Sequence, residues 1–192
     1  MRLLRVVGIG LVLAAVRAEG QGTVPLVIRT SMGEISVEVD STHAPRTAAN
    51  FLRYVDGGHF HGGQFHRTVT MQNQPDSPVK IEVIQGSVAS ERASDDFPPI
   101  AMEGTRVTGL HHVDGTLSMA RAGANTATSS FFIVIGSQPE LDAGGKRNPD
   151  GEGFAAFGRV TGGMAIVRAI QHSPATGQAL TPAIRIIEIV RR

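Results

Sequence analysis

Two runs of alternating apolar residues constrain the fold of this chain more than any other feature. Val24, Leu26 and Ile28 alternate with other residues, Ser31-Met32-Gly33 offers a turn, and Ile35, Val37 and Val39 then alternate with Glu34, Ser36, Glu38 and Asp40. Successive side chains on a strand point to opposite faces, so the pattern predicts a hairpin with one face in a core and the other in water. Further strands are expected over residues 65–70, 80–85, 115–120, 131–136, 156–160 and 184–190. Two short helices interrupt them. In residues 43–55, Ala48, Phe51, Leu52 and Val55 recur at helical spacing behind Pro45, which suits a first turn, and Gly57-Gly58 comes next as a stop. Residues 163–171 place Met164, Val167 and Ile170 on one face. With Gly 23 and Pro 10 to supply turns, the chain is expected to be mainly β, an eight-stranded antiparallel barrel capped by two short α-helices.

No internal repeat is visible, and no stretch is rich enough in Pro, Gly or Ser to act as a linker, so one domain over residues 24–192 is expected. The N-terminus is a separate matter. Arg2 and Arg5 precede an apolar run over residues 6–16, followed by Val16-Arg17-Ala18, which is the layout of a secretory signal peptide over residues 1–18. Eleven helical residues reach about 17 Å against a hydrocarbon core of roughly 30 Å, so no stable membrane span is expected. The product is expected to be exported, periplasmic or secreted, with a chain tethered by an uncleaved N-terminal segment as the alternative. Cleavage after Ala18 takes Arg2, Arg5 and Arg17 from the 18 basic residues, leaving 15 against 17 acidic and a net charge of −2. That balance lacks the basic face that offsets phosphate charge, so no nucleic-acid partner is expected. No long apolar stripe is left over for an obligate interface, which points to a monomer.

Most familiar chemistries can be set aside. Cys 0 removes disulfides, thiolate nucleophiles and cysteine-based metal sites. Gly144-Gly145-Lys146 lacks the earlier glycine of a phosphate loop, and Arg147 stands where Ser or Thr is required. Asp142, Asn148, Asp150 and Glu152 lack the order of a calcium loop. His59, His61 and His66, and the adjacent His111 and His112, have no carboxylate at a fixed helical offset, so they are expected to be loop or hydrogen-bonded core histidines rather than metal ligands. Ser129-Ser130 has no Gly-x-Ser-x-Gly turn around it, which argues against a serine hydrolase.

A set of ordered segments carries more weight. Phe65-His66-Arg67, Ile84-Gln85-Gly86, Gly115-Thr116-Leu117-Ser118-Met119-Ala120, Ala122-Gly123-Ala124-Asn125-Thr126, Ser129-Ser130-Phe131-Phe132-Ile133, Leu141-Asp142 and Phe157-Gly158-Arg159-Val160 succeed one another along the chain. With the helical segment Ala44-Pro45-Arg46-Thr47-Ala48-Ala49-Asn50-Phe51, they resemble the cyclophilin family of peptidyl-prolyl cis-trans isomerases over roughly residues 26–190. The resemblance implies a cyclophilin-like barrel with a substrate groove on its outer face, and proline-containing polypeptides as substrates. It implies Arg67 as the catalytic residue. Val83, Phe132 and Leu141 would wall an apolar slot for the proline ring, with Phe154 near it. Gln85 would hold the peptide and steer Arg67, while the backbone at Ala120 and Arg121 would pair with the residue before proline. Bond rotation of this kind needs no nucleophile, metal or cofactor.

The chain departs from the family pattern at several points. Glu82 stands where an aromatic is usual, three positions before Gln85, and an extra loop over residues 71–79 precedes that strand. A carboxylate at Glu82 is expected to pair with Arg67 and blunt it. Glu140 replaces a common aromatic before Leu141, Ser130 replaces a common glutamine, and Phe154 replaces a common histidine or tyrosine. Glu82 and Glu140 keep open an alternative, a catalytically weak module that binds proline-containing segments as a chaperone.

Overall fold

In the computed structural model, which describes residues 22–192, the alternating runs form a hairpin of β1 (Thr23–Thr30) and β2 (Gly33–Asp40), with Ile28 opposite Ile35 and Leu26 opposite Val37. The segment expected to be a signal peptide lies outside the described residues. The other strands are β3 (Gln64–Val69), β4 (Val83–Ser87), β5 (Thr116–Met119), β6 (Phe131–Val134), β7 (Ala155–Gly162), β8 (Ala175–Thr176) and β9 (Ala179–Arg191). They run in the order β1-β2-β7-β5-β6-β4-β3-β9, every pair is antiparallel, and β9 returns to β1 with Leu26 opposite Arg191. The expected eight-stranded barrel is therefore closed, and the two-residue β8 is an added arm folded onto β9.

Helix α1 (Pro45–Asp56) buries Ala48, Phe51 and Val55 against the barrel end. Its first turn has no local side-chain cap and no acidic residue. Glu103 supplies both from a distance: its carboxylate accepts the Thr47 N–H and Oγ1–H at 2.7 Å each and the Arg46 N–H at 3.2 Å. A carboxylate there satisfies exposed N–H groups and complements the positive end of the helix dipole. A single extra turn, α2 (Thr105–Thr108), lies between β4 and β5, and the second expected helix is α3 (Met164–Gln171). Phe51 anchors the main core, with ring centroids 5.2, 5.3 and 5.0 Å from Phe60, Phe131 and Phe157.

A second apolar cluster lies outside the ring. Phe131 and Ile133 belong to the main core, whereas Phe132 and Val134 join Val69, Ile81, Val83 and Leu141 on the outer wall. Strand β6 is thus greasy on both faces, a pattern that a half-wet strand does not need. Two strand starts differ from expectation by three residues or more. Residues 80–82 are not strand, because the Gln74 side chain takes the place of a neighbouring strand, donating to Ile81 O at 2.8 Å and accepting the Ile81 N–H at 3.4 Å. Strand β9 begins five residues earlier than residue 184, and its added start, at Ala179 and Leu180, is the part that pairs with β8.

Candidate active site

The outer cluster floors a cleft of about 210 Å³. All eight residues expected from the sequence line it: Arg67, Val83, Gln85, Ala120, Arg121, Phe132, Leu141 and Phe154. Ile81, Arg147 and Asn148, which the sequence did not assign to the cleft, complete the lining.

Arg67 reaches this face through a β-bulge. Phe65 points into the main core, so strict alternation would send Arg67 inward as well. The register between β3 and β4 slips at His66, pairing Phe65 with Gly86 and Arg67 with Gln85. One extra residue reverses the parity of the rest of the strand, and Arg67 and Val69 emerge on the outer wall. There the guanidinium is half-buried and held on three sides. Nη1 donates to Gln85 Oε1 at 2.9 Å, while Nε and Nη2 both donate to Gln178 Oε1 at 2.9 and 2.6 Å. Gln85 Nε2 in turn donates to Ser130 Oγ at 3.1 Å. Glu82 does not pair with Arg67, contrary to expectation: its carboxylate accepts from Gln171 Nε2 at 3.2 Å, turned toward α3. Burial first, then the like charge of Arg147, lowers the Arg67 pKa, but an arginine so placed keeps its proton at any working pH.

Phe132 lies in register between Gln85 on β4 and Ser118 on β5. Phe154 meets it edge to face at 5.3 Å, and His112 stacks against it at 6.0 Å. Ala120 N–H is bonded to Ser130 O at 2.9 Å. The Arg121 side chain is 3 % exposed, and its guanidinium forms a two-pronged pair with Asp150, at 2.7 and 2.9 Å, while Nε donates to Gly153 O. These bonds hold the Asp150 carboxyl down at about 2. Gly153 is required here: its φ is +67°, and a Cβ would lie 2.5 Å from the Asp142 carbonyl carbon.

Beneath the cleft runs a chain of polar groups, buried at His112 and Ser118 and open to solvent at His111, that no local pattern of residues signals. Asp142 Oδ1 meets His112 Nδ1 at 2.6 Å, Oδ2 meets His111 Nδ1 at 2.8 Å, and His112 Nε2 meets Ser118 Oγ at 2.9 Å. The bonding order is that of a hydrolase triad, yet Ser118 is wholly buried, so it has no access to a substrate. Its role is to fix the imidazole on which Phe132 rests. Burial lowers the His112 pKa more than Asp142 raises it. Burial pushes the Asp142 carboxyl up, but the histidine bonds outweigh it and hold the group below its ordinary value.

This chain makes stability depend on pH. Between the ordinary histidine value of about 6.5 and the lower folded value, the unfolded chain binds a proton that folded His112 refuses, so stability falls as pH drops through that window. His66, whose pKa burial also lowers, acts in the same direction. Asp142 adds a further loss below the ordinary carboxylate range. Thermal melts from about pH 7 to 5 are expected to show a falling Tm, with a shallower slope in His112→Asn. Equal slopes in both proteins would refute the assignment.

Comparison with known proteins agrees with this fold. The sequence profile described as "Cyclophilin type peptidyl-prolyl cis-trans isomerase/CLD" matches residues 25–191. The chain is 37% identical over 145 residues to peptidyl-prolyl cis-trans isomerase-like 1 of Rhizopus delemar, covering 74% of this chain and 77% of that one. It is 35% identical over 147 residues to peptidyl-prolyl cis-trans isomerase cyp18 of Streptomyces antibioticus, covering 75% and 81%. A crystal structure of a cyclophilin type peptidyl-prolyl cis-trans isomerase from Cryptosporidium parvum superposes with a TM-score of 0.70 at 22% identity, covering 88% of this chain and 98% of that one. A second structure of that protein was determined in the presence of the dipeptide Ala-Pro.

Proposed function

The chain belongs to the cyclophilin-type peptidyl-prolyl cis-trans isomerase family, and from that premise we propose that it accelerates rotation about X-Pro bonds in polypeptides by holding the twisted imide beneath Arg67. One observation carries the mechanism: a guanidinium fixed by neutral amides on the rim of an apolar slot.

An X-Pro bond resists rotation by about 18–20 kcal/mol because the nitrogen lone pair is shared with the carbonyl. At the twisted midpoint the sharing is lost and the prolyl nitrogen accepts a hydrogen bond better than in either planar form. A donor aimed at that nitrogen therefore binds the transition state in preference to both ground states. Shortening a lifetime from about 100 s to about 10 ms takes roughly 5.5 kcal/mol, and one donor to a developing charge supplies about 3–4 kcal/mol. The slot supplies the remainder. Phe132, Val83 and Leu141 hold the ring, Phe154 closes one side, and the backbone at Ala120 and Arg121 pairs with the residue before proline, so that the ring is fixed while the preceding carbonyl swings.

The binding-module alternative rests on Glu82 and Glu140. Glu82 is bonded to Gln171, and Glu140 Oε2 accepts the Lys146 N–H at 2.7 Å, so neither carboxylate quenches Arg67. A protease-coupled assay on a proline tetrapeptide tests the reading, and an unchanged uncatalysed rate at micromolar protein would end it.

Gln178 takes a positioning role in this scheme. It accepts two of the three Arg67 bonds and is itself tied to the loop over residues 71–79 through Nε2 and Asn73 O at 3.2 Å. Hydrogen bonds to charged groups contribute about 1.5–3 kcal/mol, so Gln178→Ala is expected to lower kcat about tenfold or more with KM changed less than about threefold. Gln178→Glu, which keeps the acceptor but sets a carboxylate against Arg67, should recover little of the loss. A KM effect alone would show that Gln178 merely shapes the pocket.

A further inference from the structure

If the cleft takes a proline, as proposed above, its charge indicates which prolines it favours. Three guanidinium groups line it, from Arg67, Arg121 and Arg147, and no carboxylate of the described residues does. Arg121 is neutralised by both oxygens of Asp150. The other two have neutral partners. Arg67 is held by the Gln85 and Gln178 amides, and Arg147 Nη1 donates to Ser77 Oγ at 2.7 Å and Val79 O at 2.5 Å. Both are partly buried, and each lacks an acidic partner within ion-pair distance among the described residues. Arg147 is close enough to act on the Arg67 charge. Two like charges in a half-buried cleft raise each other's free energy, and an anion near both relieves it.

Sheet order says where on a substrate that anion belongs. Ala120 continues β5, Phe132 lies on β6, Val83 and Gln85 on β4, and Arg67 on β3, in that spatial order. Arg147 is bonded to residues 77 and 79, in the connection between β3 and β4. A peptide whose pre-proline residue pairs at Ala120 and Arg121, with its ring over Phe132, leaves on the side of Arg67 and Arg147. We propose that the cleft selects prolines followed by Asp or Glu, with Arg147 as the specificity-determining residue that receives the carboxylate. An acid before proline would meet the already neutralised Arg121–Asp150 pair.

The test uses end-blocked peptides Ala-Ala-Pro-X with X as Glu, Gln or Lys, monitored by NMR exchange spectroscopy, which needs no coupling protease. At low salt the full chain is expected to catalyse the Glu peptide at about tenfold or more the kcat/KM of the Lys peptide, with Gln between, and the ratio should shrink toward one near 0.5 M salt. Arg147→Gln should bring the ratio to within about threefold, and Arg147→Lys should keep most of it. General losses cancel in the ratio. Should Arg147→Gln fail to fold, the parent ratio and its salt dependence decide alone. A ratio near one at low salt, or a folded Arg147→Gln with the full ratio, overturns the selectivity and leaves isomerisation standing. Acceleration of none of the three peptides overturns the isomerase reading and the selectivity with it.

Discussion

Arg67→Ala is expected to lower kcat/KM for a proline tetrapeptide by about 10²–10³ while shifting Tm by only a few degrees. The side chain lies on the outer wall and contributes nothing to the main core, so its removal leaves the barrel's packing in place. It does remove the one fixed cationic donor that Gln85 and Gln178 aim over the slot. Arg67→Lys should recover only part of the activity. A single ammonium cannot occupy the three bonds that hold the planar fork. The decisive measurement is kcat/KM beside a melting curve for each protein. A folded Arg67→Ala with more than about a third of the parent activity would refute the transition-state role.

The second large effect separates two adjacent phenylalanines. Phe131 is wholly buried in the main core, with edge-on contacts to Phe51, Phe60 and Phe65 at 5.3, 5.6 and 5.8 Å. Phe131→Ala is expected to cost about 3–5 kcal/mol of stability, enough to consume much of a domain's margin. Activity per folded molecule should change little. Phe132 faces the cleft, so Phe132→Ala should cost less stability, because solvent can enter the space it leaves. It should reduce kcat/KM about 10–100-fold by removing the apolar wall, worth about 1.5–3 kcal/mol for a fully buried ring. Urea melts and assays corrected for the folded fraction check both. If Phe131→Ala lost as much specific activity as Phe132→Ala, the division between core and cleft would be wrong.

Much of this architecture is readable in the residues because it depends on local periodicity. Val24 to Val39 alternate with period two, and Ala48 to Val55 recur with period near 3.6, so the first hairpin and α1 are written in consecutive side chains. The eight expected cleft residues emerge by a different route, the ordered motifs of a family, and the structure gathers them on one surface. The hidden features depend on distance along the chain. Gln178 is 111 residues from Arg67, Arg147 is 70 residues from Ser77, and Asp142 is 30 residues from His112, so no short window of sequence contains any of these pairings. The bulge at His66 is equally invisible, because a one-residue slip has no composition of its own. Glu82 misleads for a related reason: its proximity to Gln85 in sequence hides the fact that α3 crosses beside it and offers Gln171.

The seam of the barrel has a consequence for how such a unit can be joined to others. Leu26 and Arg191 face each other across it, and around the ring of eight strands β1 is diametrically opposite β6, which carries Phe132. Polypeptide attached at either end would leave from neighbouring points on the back of the molecule. A tether or fused partner mounted there would hold the module like a handle, with its working face turned outward.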